Sequence, residues 1–443
     1  MPATPRARER WRNWAGNHRA TVEVARPGSV DELAALLAQA AGSGRRVRPV
    51  GSGHSFSGVA VPEDLQVSLE RLTGIRSIGP HGLVEVWAGT PLHRLTAELA
   101  GRGCSLTNLG DMDRQTLAGA IATGTHGTGV RFGGLATQVR ALELVTPAGE
   151  VLRCSPTSHP DVFAAARVGL GALGVVTAVT VQAEPAFALR AEEGPGTLTA
   201  ALEDFEELMT STDHVEFYWF PHTDATLVKR NTRVPVEGAL APLPRWRAMW
   251  DDELLANAAF AGVVAAGRRM PALVPPLARV SSRALAPRTY ADHSHRVFVS
   301  RRRVRFLETE WAVPREAAPA VLDELRQLHE ASDWRCAFPV EVRLAAADDI
   351  PLSTASGRDT AYVAAHVPAG TEPGPWFAAV ETTSAAAGGR PHWGKLHGLD
   401  AAALGGRYPA FDAFLAVRDR LDPTGVLANA YLDRVLGPPP LRA

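Results

Sequence analysis

Two glycine-rich runs constrain this chain more than any other feature. Gly51-Ser52-Gly53-His54-Ser55-Phe56-Ser57-Gly58 and Gly119-Ala120-Ile121-Ala122-Thr123-Gly124-Thr125-His126-Gly127-Thr128-Gly129 hold too many glycines for a strong helix or strand. Consecutive glycines and serines can turn backbone N–H groups onto an anion, so the first run reads either as a pyrophosphate nest or as a tight structural turn. Each run also carries a histidine beside glycine, His54 and His126. Taken singly, either is as readily a satisfied core histidine as a ligand contact. Two such segments in one α+β unit point to a single extended cofactor cradled twice.

The neighbourhood of these runs supports that unit. Ser29-Val30-Asp31-Glu32 is a capping box ahead of an apolar run that Gly42 and Gly44 stop, which predicts a helix over Ser29–Ala41. Strands are predicted at Arg46–Val50, Gln66–Leu69 and Val84–Ala88, then a helix from Thr90-Pro91 to Gly103. A hairpin over Arg140–Thr146 and Glu150–Arg153, a helix from Asp161 and a β-branched run Val175–Val181 complete the unit. Gly169-Leu170-Gly171-Ala172-Leu173-Gly174 fits the G-x-G-x-x-G pattern, but it follows a helical stretch and runs into a strand, the reverse of a dinucleotide fingerprint. A backbone lying close to a ligand fits it better.

At 443 residues the chain exceeds what one core usually supports, and composition changes after Glu184-Pro185, so two domains are expected. With 46 Lys+Arg against 47 Asp+Glu no polyanion is implied, and the clusters Arg6–Arg12 and Arg301–Arg305 read as solvated surface rather than a nucleic-acid face. Cys104, Cys154 and Cys336 are too few and too scattered for a disulfide framework, which suits a reducing compartment. No segment has the apolar core of a secretory signal or the ~18 apolar residues of a membrane span. A cytoplasmic protein without membrane or nucleic-acid partners is expected, with Leu254–Gly267 a buried or interface helix cut off by Arg268-Arg269.

Chemistry-bearing residues stand further on. Glu341-Val342-Arg343 lies on an alternating run, so both charged side chains share one face of a strand, either to grip a hydroxyl and stabilise an alkoxide or to form a cross-strand salt bridge. Lys395, after Trp393-Gly394, is either fixed positive charge for an anion that develops during reaction or a surface lysine. His293/His295 and His392/His397 lack zinc spacing, so no metal is expected. The G-x-S-x-G elbow of a hydrolase is absent.

Asn13-Trp14-Ala15-Gly16-Asn17, Gly51-Ser52-Gly53-His54-Ser55-Phe56, Leu117-Ala118-Gly119 through Gly127, Glu341-Val342-Arg343, Pro391-His392-Trp393-Gly394-Lys395 and Asp422-Pro423-x-Gly425 stand in the chain in this order. Together they closely resemble the vanillyl-alcohol-oxidase superfamily of flavoproteins, in its branch of sugar-1,4-lactone oxidases and alditol oxidases. The middle, from about Ala191 to Arg335, carries no matching motif. The resemblance implies an α+β, two-domain fold: a PCMH-type FAD-binding domain over 1–185, an α+β substrate or cap domain over 186–391, and a segment 392–443 that returns to the first. It implies FAD bound covalently through His54. It further implies that Gly51, Ser52, Gly53, Ser55, Asp111, Thr116, Gly119, Thr123, Thr125, His126, Gly127, Gly174 and Val175 hold the cofactor. Where some relatives add a cysteine link, this chain reads Asn108-Leu109-Gly110-Asp111-Met112-Asp113, so one link is expected.

Carried over in the same way, Arg343 and Glu341 face the reacting carbon, His366 lines the site and Lys395 sits near the flavin N1/C2 carbonyl. The implied reaction is hydride transfer from an alcohol carbon of a D-arabinono- or L-gulono-1,4-lactone to flavin N5, with oxygen as acceptor and hydrogen peroxide as product. Gly110 is compatible with oxygen access, and a dehydrogenase with another acceptor stays open, as does an alditol substrate. Asp111 stands where the alditol group has a serine, and Pro368 where it has a threonine, so a lactone leads. A monomer or small homo-oligomer is expected.

Overall fold

Ser29 caps the first helix as its box predicts: its side chain accepts from the Glu32 N–H, and the helix runs over Val30–Gly42 with Leu33, Leu36, Leu37 and Ala40 buried. The computed structural model describes residues 8–244, 247, 260–300 and 302–439. That helix packs on a four-stranded sheet in the order Arg8–Arg12, Arg19–Ala25, Leu65–Val67, Val47–Pro49, whose last three strands run parallel. The short strand Val47–Pro49 ends where the first glycine-rich run begins.

A second, antiparallel sheet follows the order Ile75–Ile78, Leu83–Trp87, Val175–Pro185, Val139–Val145, Val151–Cys154, and Cys104–Leu106 pairs with the far end of Val175–Pro185. The β-branched run 175–181 takes the centre of this sheet, where both faces are covered. Its core includes Val84, Val86, Leu95, Leu142, Val179 and Val181, and also Trp393, Phe414, Tyr431 and Leu432 from the C-terminal segment. The final stretch is a helix over Ala430–Leu436 capped by Asn429.

Beyond Pro185 the chain enters a third sheet of eight strands. Its order is Arg288–His293, Phe187–Thr197, Ala225–Pro235, His214–Trp219, Val340–Ala345, Thr360–Pro368, Phe306–Pro314, Arg390–Pro391. Its neighbours all pair antiparallel. Helices such as Ala318–Glu330 and Gly374–Ala386 cover one face, with Phe217, Trp311, Leu322, Val342, Val363 and Val380 in a separate core. The opposite face turns its polar residues toward the first glycine-rich run.

Two expectations need correction here. The second glycine-rich run opens as a helix, Leu117–Ala122, because Thr116 caps the Gly119 N–H and Leu117, Ala120 and Ile121 are buried, so packing outweighs the weak propensity. The apolar stretch near Leu254 gives a helix over Phe260–Arg269 that includes Arg268 and Arg269 as its last turn; only Val264 and Gly267 are buried in it, and residues 254–259 lie outside the described residues. All three cysteines are free, and among the described residues no helix is long and apolar enough to cross a membrane.

Candidate active site

The first glycine-rich turn is held from outside by the N-terminal motif. The Trp14 N–H donates to the Gly53 carbonyl at 2.7 Å, Asn13 Nδ2 to the Ser55 carbonyl at 2.9 Å and Asn17 Nδ2 to the Phe56 carbonyl at 2.9 Å. The Phe56 and Ser57 N–H groups are taken by the Gly394 carbonyl. Carbonyls are thus drawn away on one side. Among the described residues, no acceptor meets the backbone N–H of Gly51, Ser52, Gly53, His54 or Ser55. Five successive open donors, with Gly53 at φ +67° reversing the chain, make an anion nest. Gly51 and Ser52 are exposed, His54 and Ser55 half-buried and Gly53 buried, so the open donors are accessible to an anion.

These donors face a cavity of about 460 Å³. Gly51, Ser52, Gly53, His54, Ser55, Thr116, Gly119, Thr123, Gly174 and Val175 all line it, as does the backbone of Gly169, Leu170 and Gly171. The inverted glycine pattern therefore borders this cavity, lying between the helix Pro160–Ala166 and the strand Val175–Pro185. Leu170 and Gly171 both have positive φ, at +52° and +65°. The buried Arg48 guanidinium holds them there, donating to the carbonyls of Leu170, Gly171 and Leu427. Burial pushes its pKa down to about 10. A Cβ on Gly51 would overlap Thr116 Oγ1, and one on Gly174 would meet Leu144 Cδ1 at 2.5 Å, so both glycines are required by close packing.

A second cavity of about 80 Å³ adjoins the first, and His54, Ser55, Gln115 and Thr123 line both. His54 has no hydrogen-bond partner among the described residues; its ring stacks on Trp14 at 6.0 Å. Burial pushes its pKa down to about 4, so the imidazole is neutral at pH 7 with a free lone pair.

Charge fills the second cavity. Arg343 faces Glu216 directly across the strand pair and donates to it from Nε at 2.7 Å, while its Nη2 pairs with Glu341 on its own strand and lies 3.8 Å from Asp111. The cross-strand salt bridge is therefore present, and the acid and base of Glu341-Val342-Arg343 also lie paired on one cavity wall. Arg302 pairs with Asp111 at 2.5 Å and approaches Glu341 at 3.5 Å. Tyr218 donates to Glu341 at 2.8 Å and is 3.0 Å from Glu216. Burial disfavours each charge, yet the partners prevail. Asp111 is held well below the usual carboxylate range by Arg302 and Arg343, and Arg343 is held fully charged by Glu216 and Glu341.

Lys395 is no surface residue. Its Nζ lies 2.5 Å from Glu308 and 3.6 Å from Glu310, and those carboxylates keep it charged against burial. His126 stacks on Tyr362 at 3.5 Å and pairs with Glu310 at 3.2 Å. His126, Glu310 and His392 converge closely enough to suggest a metal site. Each already has a partner: His392 Nδ1 accepts from the Gly394 N–H, His126 Nδ1 lies 2.9 Å from the Gly127 carbonyl, and Glu310 has Lys395.

Asp111, Thr125 and His126 line the charged cavity rather than the nest-lined one. Gly127 lines neither; a Cβ there would strike the Leu109 carbonyl and the Asn108 side chain, so its need for glycine is packing. His366 does not line the cavity either. It sits behind Glu308, wedged between Phe306 and Phe338. Arg302, read as solvated surface, is a wall of the charged cavity, where Asp111 and Glu341 draw it in; Arg301 lies outside the described residues. Sequence reasoning missed Glu216, Tyr218, Lys229, Glu308 and Glu310 altogether. A signal existed: Glu308 and Glu310 recur at a spacing of two inside the otherwise uncharged run Phe306–Trp311, and Glu216 interrupts the apolar run Val215–Trp219.

Residues 179–435 match the family described as D-arabinono-1,4-lactone oxidase, and residues 23–155 match an FAD binding domain. The chain is 43% identical over 430 residues to the L-gulono-1,4-lactone dehydrogenase of Mycobacterium tuberculosis, covering 97% of this chain and 99% of that one. It is 34% identical over 445 residues to the L-gulonolactone oxidase of Bos taurus, covering 96% and 98%. Among solved structures, a solvent-stable cholesterol oxidase superposes with TM-score 0.79 at 21% identity over 98% of both chains, and a cholesterol oxidase from B. sterolicum with 0.80 at 18% over 98% and 99%. At such identities these two establish the fold, the α+β vanillyl-alcohol-oxidase type with a PCMH-type FAD-binding domain.

Proposed function

The chain belongs to the D-arabinono-1,4-lactone oxidase family of FAD-dependent oxidoreductases, and from that premise we propose that it oxidises a sugar-1,4-lactone of the D-arabinono or L-gulono type at an alcohol carbon. The observation that carries this reading is the junction at His54, where a nest-lined cavity opens onto one walled by Arg343, Glu341 and Lys395. FAD fits the first cavity: five open N–H groups suit its pyrophosphate, and small residues leave room for its rings. When bound, it supplies a ring that accepts hydride at N5.

The chain's own residues do the rest. His54, neutral and unpartnered, is the attachment point for the flavin 8α carbon. Arg343 stabilises the alkoxide that develops as the substrate hydroxyl loses its proton, and Glu341 fixes the plane of that guanidinium. Lys395 places a fixed positive charge on the cavity wall. We read 1–185 with 392–443 as the FAD domain and 186–391 as the substrate domain, supported by the C-terminal side chains in the first core. Three free cysteines fit a reducing, cytoplasmic setting.

Oxygen is the acceptor on this reading, with Gly110 leaving the cavity wall small. A second reading, a dehydrogenase with another electron acceptor, is favoured by the name of the 43% identical relative. Visible spectra before and after acid precipitation, then peroxide release on a panel of sugar lactones and alditols, test both. Acid-stable yellow colour with peroxide from a lactone supports the first. Flavin reduction by a lactone under air, without peroxide until an artificial acceptor is added, supports the second. A colourless protein that FAD cannot reconstitute overturns the reading.

A further inference from the structure

We propose that Glu308 takes the hydroxyl proton of the substrate alcohol, and that the unpartnered ring nitrogen of His366 behind it favours the protonated acid. This rests on the reading that the charged cavity oxidises an alcohol. Removing hydride from a carbinol carbon also requires that its O–H proton go to a base within reach.

Four carboxylates line the cavity and Glu216 stands against its Arg343; of these five, four are already bound. Asp111 has Arg302 and Arg343; Glu216 has Arg343, Tyr218 and Lys229; Glu341 has Arg343, Tyr218 and Arg302; Glu310 has His126 and Lys395. Such partners hold the negative charge and make a poor proton acceptor. Glu308 differs. Its Oε1 has Lys395 at 2.5 Å, and no donor meets its Oε2 among the described residues, although the residue lines the cavity.

The independent observation lies behind it. His366 stands directly across the strand pair from Glu308, with Nε2 3.7 Å from Oε1. His366 Nδ1 lies 3.2 Å from the Pro339 carbonyl, which can only accept, so Nδ1 carries the ring proton and Nε2 presents a lone pair. That buried nitrogen has no hydrogen-bond partner. Burial pushes the pKa of His366 down to about 3, so it stays neutral. At 3.7 Å the two atoms are beyond hydrogen-bond distance, and the lone pair repels an ionised carboxylate while tolerating a neutral acid. Lys395 thus serves the ionised form of Glu308 and His366 the protonated one.

The titratable groups around Glu308 are Glu310 on its own strand, Lys395 on the C-terminal segment, Glu341 on Val340–Ala345 and the neutral His366 on Thr360–Pro368. Burial first, then Glu310 and Glu341, outweigh the pull of Lys395 and push the Glu308 pKa up to about 7. In the step, the substrate C–H bond breaks with its electron pair passing as hydride to the oxidised flavin that FAD supplies. The O–H bond breaks with its proton passing to Glu308, and the oxygen's pair closes the C=O bond. The substrate loses two electrons and the flavin gains two.

The test is Glu308→Gln in the holoenzyme. Expected are unchanged flavin content and lactone KM within a few-fold, kcat lowered roughly 100-fold or more, and loss of the ascending limb of kcat/KM near neutral pH, since activity requires Glu308 ionised and falls as pH drops through its pKa. His366→Phe removes the lone pair that disfavours the carboxylate and should move that limb to lower pH. An unchanged limb in Glu308→Gln, with kcat within a few-fold of wild type, overturns the proposal. Infrared difference spectra of the wild type need no variant: a carboxyl C=O band that titrates near pH 7 is expected, and its absence also overturns the assignment. If the wild type oxidises no sugar lactone, the functional reading falls by itself, and the infrared titration still decides where the proton resides.

Discussion

The nest-lined cavity and the charged cavity meet at His54, Ser55, Gln115 and Thr123, yet they are built of opposite materials. The first is made by omitting side chains: Gly51 through Ser55 present backbone donors, Gly174 and Gly51 yield space to Leu144 and Thr116, and Arg48 acts only on carbonyls. The second is made of side chains from six separated stretches, with Asp111, Glu216, Arg302, Glu308, Glu341 and Lys395 compensating one another. A ligand held by backbone can be bound tightly without any charge that competes for the reaction. A reacting group needs charges that are fixed before it arrives, and burial fixes them only when each has a partner.

That contrast can be broken first at Arg343. Arg343→Lys keeps the charge but cannot bond Glu216 and Glu341 at once, so kcat should fall roughly 100-fold or more while flavin absorbance per protein stays the same; wild-type turnover in steady-state assays would remove Arg343 from the chemistry. Gly51→Ala attacks the other cavity. Its Cβ collides with Thr116 Oγ1 at the cap of Leu117–Ala122, an overpacking of about 1–3 kcal/mol, and should lower flavin occupancy about tenfold or more by absorbance. Full occupancy would mean that the Thr116 cap is free to shift.

His54→Ala sharpens the boundary between the two. The nest remains, so flavin should still bind, but acid precipitation should release it into the supernatant, and turnover should drop about tenfold, since the ring loses an anchor worth about 1.4 kcal/mol in positioning. Acid-stable flavin in this variant would refute the attachment site. The smallest effect is expected from Arg26→Ala. Arg26 pairs with Glu9 and Glu70 on the exposed side of the first sheet, and solvent screens such pairs, so Tm and turnover should both stay within experimental scatter. A marked loss of turnover there would show that charge acts at a distance in this fold, not only when buried.

How much of this was legible differs between the regions for a physical reason. The nest is contiguous: Gly51 to Ser55 can be read as a donor run from residue types alone, and the inverted order of helix, Gly169–Gly174 and strand already excludes a dinucleotide fingerprint. Glu341 and Arg343 were legible too, because a strand's period of two puts them on one face. Arg302 was not, since five residues from Arg301 to Arg305 look like any solvated cluster until Asp111 and Glu341 are brought beside one of them. Glu308 and Glu310 show a period-two pattern, but the pattern does not say which face is cavity.

The sequence by itself determined the backbone chemistry of the cofactor turn, the capped helix Val30–Gly42 beside it, the central strand Val175–Pro185 and the presence of an acid–base pair on one strand face. These follow from local rules of glycine freedom, capping and alternation. Only the tertiary structure decided that His126 and Asp111 line the charged cavity, that Arg302 is drawn inward, and that Glu308 stands between Lys395 and an unpartnered His366 nitrogen. Local rules act over a few residues, whereas the ionisation of a buried group depends on charges that lie within a few ångströms of it and far from it along the chain.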